Sequence, residues 1–387
     1  MKIKINKFNI IIYLIILFVF CGLIYKKPHP ASPNFIIENY YKNLDLKNEK
    51  SFFNSYYIPQ PHFLKSAHSS SIAKLPNSNL IAFWFAGSRE GATDVKIWQS
   101  TYNGKNWSMA HAIISPKFIS NFSKRYTKKV GNPVVYLAKD STLHLFIVSV
   151  SIGGWSGSSL NHFISYDYGN HWTAKEKLIL SPFFNISTLD RINAISLDDG
   201  GFYLPVYHEL IRTYPEILRF DSKGNFLYQT RLTNKNTLLQ PTILPISSKT
   251  AFVYMRNNKR INNFLYYQKT TNGGLKWGRV LPTNLNNEDS SLVVKRIKDN
   301  EFLMIHNQGG RNKLAIALSN DGVNWNDYYL LEDSVNDEFS YPSIDIHDGI
   351  INILYTWKRL MIKHVQFNIK WLDNLIKNSK RQIYVPE

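Results

Sequence analysis

Cysteine is almost absent from this 387-residue chain. The single one, Cys21, excludes an intramolecular disulfide and makes a cysteine-based metal site untenable. Acidic side chains are also scarce. Only 28 Asp and Glu face 46 Lys and Arg, a formal net charge of +18 at pH 7. Apart from KRYTKK (124–129) and KNSKRQ (377–382), the basic residues are scattered. A nucleic-acid binder would gather them on one element, so the charge argues against that class. It suits attraction to anionic glycans or a membrane surface. Long amphipathic helical stretches are hard to find. What is plentiful is aromatic: 23 Tyr, 23 Phe and 9 Trp, which suit strands and sugar-stacking surfaces.

One short stretch recurs. SYDYGNHW (165–172) returns as TTNGGLKW (270–277), and in versions one residue shorter as TYNGKNW (101–107) and SNDGVNW (319–325). FDSKGNF (220–226) is a worn copy. Each follows a short alternating apolar run, the pattern of strand, turn, strand. Asp or Asn bonds its own backbone two residues on, Gly takes positive φ, and Trp packs back over the turn. A period of roughly 50 residues marks a repeat architecture. A second unit, a polar turn followed by an apolar strand, occurs at LPNSN, AKDST, LDDGG, PISSK, IKDNE and IHDG. Six such units predict six blades of an all-β propeller.

These turns resemble Asp-boxes, or BNR repeats, of the sialidase (neuraminidase)-like superfamily. The resemblance runs over roughly residues 60–370. The loop FAGSREGATD also resembles the FGG-x-x-EG-x-x-D signature of an uncharacterised sialidase-like branch. It implies a six-bladed propeller with its site at the axis, and an exo-acting glycosidase on terminal acidic sugars. Asp94 then matches the acid/base aspartate and Tyr341 the nucleophilic tyrosine. Arg256 and Arg311 match the second and third arginines of a carboxylate-binding triad. Gln240 stands where the family has the Glu that pairs with the tyrosine. Glu90, His68 and His306 are further candidates for a base. Arg191, Asn132 and Tyr207, with His306, occupy strand starts or strand ends where ligand contacts fall. No metal or organic cofactor is implied, and the propeller is expected to be monomeric.

Three departures bear on activity. The region of the first triad arginine reads HFLKSAHSS, without arginine. Its partner Glu is replaced by Thr356. Gln240 can orient a tyrosine but cannot take its proton. Two other readings therefore stand beside the hydrolase: a glycan-binding propeller without chemistry, and a lyase on uronic acids using Tyr341 and a His.

The N-terminus carries FNIIIYLIILFVFCGLIY (8–25), free of charge and flanked by lysines. No small-x-small cleavage site follows, and Phe20 spoils a lipoprotein site at Cys21. This predicts an uncleaved signal anchor over 1–27, crossing the membrane once with the propeller on the periplasmic or extracellular side. A stalk over 28–60, the propeller over 61–372 and a tail over 373–387 complete the expected organisation.

Overall fold

The computed structural model describes residues 7–24, 33–38, 40, 48–181, 185–258 and 262–382. It divides into two units, 1–32 and 33–387. In the first, helix α1 covers Lys7–Ile24. This corrects the expectation of a membrane anchor. Among the described residues no helix is long and apolar enough to cross a membrane. The 18 residues of α1, which include Lys7 in the first turn, fall short of the about 20 apolar residues a span requires. The expected transmembrane helix, membrane partner and membrane-anchored location are therefore not supported. Except for Lys7, the flanking lysines lie outside the described residues, as do 28–32, 39 and 41–47 of the expected stalk.

The second unit is a six-bladed β-propeller. Its blades span 66–114, 129–177, 189–231, 238–286, 293–333 and 339–368. The sixth is completed by Phe53–Tyr57, which pairs antiparallel with Met361–Asn368 and closes the ring with an N-terminal strand. Between blades 1 and 2 a short helix, α2, runs over Pro116–Ser123 with Ser115 as its cap. Helix α3, Ile369–Gln382, follows the last blade and buries Ile369 and Leu372 against it.

The Asp-box turns join the third and fourth strands of their blades. In blade 2, Ser165 Oγ donates to Asp167 Oδ1 (2.8 Å), and the His171 N–H donates to the same oxygen (2.9 Å). Blade 5 repeats this with Ser319 and Asp321 at 3.1 Å. The worn copy keeps the bonding, Asp221 Oδ1 accepting from the Asn225 N–H at 2.8 Å. Each turn laps onto the preceding blade. Trp172 Nε1–H donates to Gln99 of blade 1 (3.0 Å), and Trp325 packs edge-on against Tyr254 of blade 4. Glycine is needed here twice over. Gly322 has φ +75°, and a Cβ on it would lie 2.4 Å from Phe252. Trp172→Ala is expected to lower stability by about 2–4 kcal/mol in urea unfolding, with ligand affinity of the folded molecule unchanged. Loss of affinity with stability intact would place Trp172 in a binding role instead.

The chain crosses itself once more, on the face that carries the turns. Phe35 is buried and bridges Leu197, and its N–H donates to the Ser248 carbonyl (2.8 Å). Ile36, Ile37 and Glu38 then cover a cavity of ≈ 70 Å³ over the innermost strands of blades 3, 4 and 5.

Candidate functional site

The opposite face is built differently. Four innermost strands begin with a bulge, and the residue in it is left-handed: Ser69 (φ 58°), Asn132 (φ 42°), Gln240 (φ 48°) and Tyr341 (φ 55°). Such φ values are costly for non-glycine residues and cluster at functional positions. A bulge also re-aims a side chain out of the strand's alternation. Asn132, Gln240 and Tyr341 are each followed by proline.

Tyr341 sits among cations. The Arg191 guanidinium lies 5.2 Å from its ring centroid and that of Arg311 5.3 Å. The His68 ring meets it edge-on, with centroids 4.5 Å apart. Arg256 also interacts electrostatically with Tyr341. Burial works against the Arg256 charge, but Tyr341 and Asp289 outweigh it and raise its pKa. These side chains come from blades 1, 3, 4, 5 and 6, and only ring closure brings them together.

Arg191 reaches across the axis. It stands in a break of blade 3's innermost strand, between Leu189–Asp190 and Ile195–Ser196. Freed from the ladder, its Nη1 donates to the Ser70 carbonyl of blade 1 (3.1 Å) and its Nη2 to the Pro342 carbonyl of blade 6 (3.0 Å). It is 1% exposed. Burial lowers its pKa to about 10, so it stays charged at neutral pH.

Three carboxylates face the arginines. Glu338 Oε1 accepts from Arg311 Nη1 (3.2 Å) and Ser340 Oγ (2.7 Å), and its Oε2 from Arg359 Nε (2.6 Å). Arg359 Nη1 reaches Glu90 at 2.7 Å, and Arg256 Nε reaches Asp289 at 2.8 Å. Glu90 also lies 4.0 Å from His68 Nε2. Burial, then the charge of Arg359, pulls His68 down to about 3, so it is neutral near pH 7. Neither of its ring nitrogens has a hydrogen-bond partner among the described residues.

The other expected residues lie as follows. Asp94 is exposed on the same loop as Glu90, and its carboxylate accepts from the Ser88 N–H (2.9 Å) and Ser88 Oγ (2.8 Å). Gln240 Nε2 donates to the Tyr207 hydroxyl (3.2 Å), and its Oε1 is buried without a hydrogen-bond partner among the described residues. Burial and Glu209 push the Tyr207 hydroxyl pKa up. Asn132 Nδ2 donates to the Asp190 carbonyl (3.0 Å). His306 turns to the outermost strand of its own blade, where Asp327 holds it at 2.6 Å. Thr356 Oγ1 accepts from the Ser69 N–H (3.0 Å), bracing the first bulge.

Sequence reasoning missed Arg359, Glu338 and Asp289. A positional signal existed for Arg359. Glu90, Arg256, Arg311 and Arg359 all lie at or just after the second strand of their blades, at the turn toward the third.

Fold and site together define a six-bladed Asp-box propeller of the kind found in sialidase-like glycosidases, with a polar site where the blades meet. More particularly, the chain belongs to the BNR repeat-like domain family, which matches residues 78–353. Three solved structures illustrate the likeness. A protein of unknown function from Dyadobacter fermentans superposes with a TM-score of 0.66 at 13% identity, over 82% of this chain and 99% of that one. The Hadza microbial sialidase Hz136 gives 0.65 at 16%, over 79% of this chain and 66% of its own. Trypanosoma rangeli sialidase gives 0.65 at 14%, over 85% and 61%. At these identities the likeness is one of fold. No curated protein matches the chain in sequence.

Proposed function

We propose that this propeller is an exo-acting, sialidase-like glycoside hydrolase for terminal acidic sugars. The observation that carries the reading is Tyr341, held in a left-handed bulge with Arg191 and Arg311 beside its ring and His68 against its edge. In this reading Arg256, Arg311 and Arg359 orient the sugar carboxylate by charge-assisted bonds. The Tyr341 oxygen forms a bond to the anomeric carbon while the bond to the leaving oxygen breaks. A carboxylic acid on the 88–95 loop, Asp94 or Glu90, protonates that oxygen. His68, neutral because it is buried, accepts the tyrosine proton. Water then cleaves the sugar–tyrosine bond.

A second reading has its own support. Gln240, where the family's carboxylate would stand, is bonded to Tyr207, and Tyr341 has a histidine at its side instead. A tyrosine–histidine pair flanked by arginines also suits β-elimination from a uronic acid. The test is product analysis with purified protein on sialosides and on acidic polysaccharides. Release of a free acidic sugar supports the hydrolase, and ultraviolet absorbance of an unsaturated uronate supports the lyase. Binding without turnover supports a glycan-binding propeller, and failure to bind any acidic sugar sinks all three.

A further inference from the structure

We propose that Glu338 is a resident competitor, occupying the Arg311–Arg359 clamp that an incoming sugar carboxylate would otherwise enter. The inference deepens the acidic-sugar reading and rests on it. Both oxygens of Glu338 are engaged, one by Arg311 and Ser340 and the other by Arg359. Two guanidiniums from different blades and one hydroxyl are what a bound ligand carboxylate would require. Glu338 precedes Tyr341 by three residues, and Arg311 touches both, so the clamp adjoins the tyrosine.

The competitor is charged at any working pH. Burial alone would raise the Glu338 pKa, but the bonds from Arg359 and Ser340 and the charge of Arg311 outweigh it and hold it at about 2. It is also displaceable. The side chains of Glu338 and Arg311 are each 22% exposed and that of Arg359 43%. The guanidiniums are open to solvent on one side, so a second carboxylate can reach them and exchange with Glu338 for the same charge-assisted bonds. On release of Glu338, Glu90 still steadies Arg359 at 2.7 Å. Acidic ligands therefore enter by exchange, so weakly binding carboxylates are held back while neutral sugars are unaffected.

Glu338→Gln keeps the shape and removes the charge, and Glu338→Ala empties the clamp. Calorimetric titration with N-acetylneuraminic acid and glucuronic acid, with galactose as the neutral control, reads the effect. Expected in both variants is about tenfold tighter binding of at least one acidic sugar, equivalent to about 1.4 kcal/mol, with galactose unchanged and thermal unfolding confirming a folded protein. Unchanged or weaker acidic-sugar binding in either variant overturns the proposal, since Glu338 would then steady the arginines. If wild type fails to bind and the variants bind, the competitor stands and the proposed function falls. Wild-type binding that neither variant improves has the opposite meaning, and no binding by any of them sinks both.

Discussion

Tyr341→Phe is expected to lower kcat by about a thousandfold or more, some 4 kcal/mol of transition-state stabilisation, and to change Kd for an acidic sugar by less than about threefold. The substitution removes one oxygen. If that oxygen forms the covalent bond, no other group near it can replace the step. The ring survives, and with it the contacts that place the site. Arg191 and Arg311 still lie 5.2 and 5.3 Å from its centroid, and the edge-on contact between the His68 ring and the Tyr341 ring is one of ring to ring, so it persists without the oxygen. Nor does Arg191 depend on the hydroxyl for its position, since it is fixed by the Ser70 and Pro342 carbonyls. Steady-state kinetics with a calorimetric Kd on the same preparation separates the effects. Full activity in the variant would end the tyrosine mechanism and turn attention to Glu90 and His68. A loss of binding equal to the loss of rate would make Tyr341 a contact residue only.

The propeller was legible because its signals are local and repeated. A Ser-x-Asp-x-Gly frame closes a turn through bonds within a few residues, as Ser165, Asp167 and Gly169 do. The count of six blades comes from the polar-turn-plus-strand units, one in each blade. The site was only partly legible because its geometry is long-range. Tyr341, Arg256, Arg311, Arg191 and His68 could be named from their places in the chain. The pairings could not, because Glu338 and Arg359 meet across a strand pair and Glu90 meets Arg359 across the closure of the ring. His306 shows the reverse. It stands at a strand end, like Tyr207, but its blade turns it outward to Asp327. The break in blade 3's innermost strand, which lets Arg191 cross the axis, has no signal in composition or periodicity. The N-terminal expectation failed for another reason. An apolar run was measured by its residues, whereas a span requires a helix long enough to cross.

Acidification from pH 7 to 4.5 is expected to lower the unfolding free energy by several kcal/mol. His68, His144 and His364 are 3%, 2% and 0% exposed, and burial above all lowers each to about 3 from 6.5. The unfolded chain therefore binds protons below pH 6.5 that the folded chain refuses until near pH 3. Stability falls through that window, by about 1.4 kcal/mol per pH unit for each group. Over the two units from 6.5 to 4.5 the three groups contribute on the order of 8 kcal/mol, against a typical total of about 5–15. Part is returned by Asp190, Glu209 and Glu216, whose carboxyls burial pushes up, so that acid relieves them. Glu338 and Asp321, held at about 2, add a further loss only as pH falls below the ordinary carboxylate range. The geometry at His364 shows why its neutral form is required. Its Nδ1 accepts from Trp107 Nε1–H (3.2 Å), which leaves Nε2–H to donate to Asn352 Oδ1 (3.0 Å). A proton on Nδ1 would set N–H against N–H and break the bond by which blade 1's Asp-box tryptophan latches onto blade 6. His364→Gln cannot titrate. Urea unfolding at pH 7, 5.5 and 4.5 is expected to give it a pH slope smaller than wild type by about one proton, 1.4 kcal/mol per unit, whatever its stability at pH 7. Equal slopes in the two proteins would remove His364 from the acid response and leave the ring closure insensitive to it.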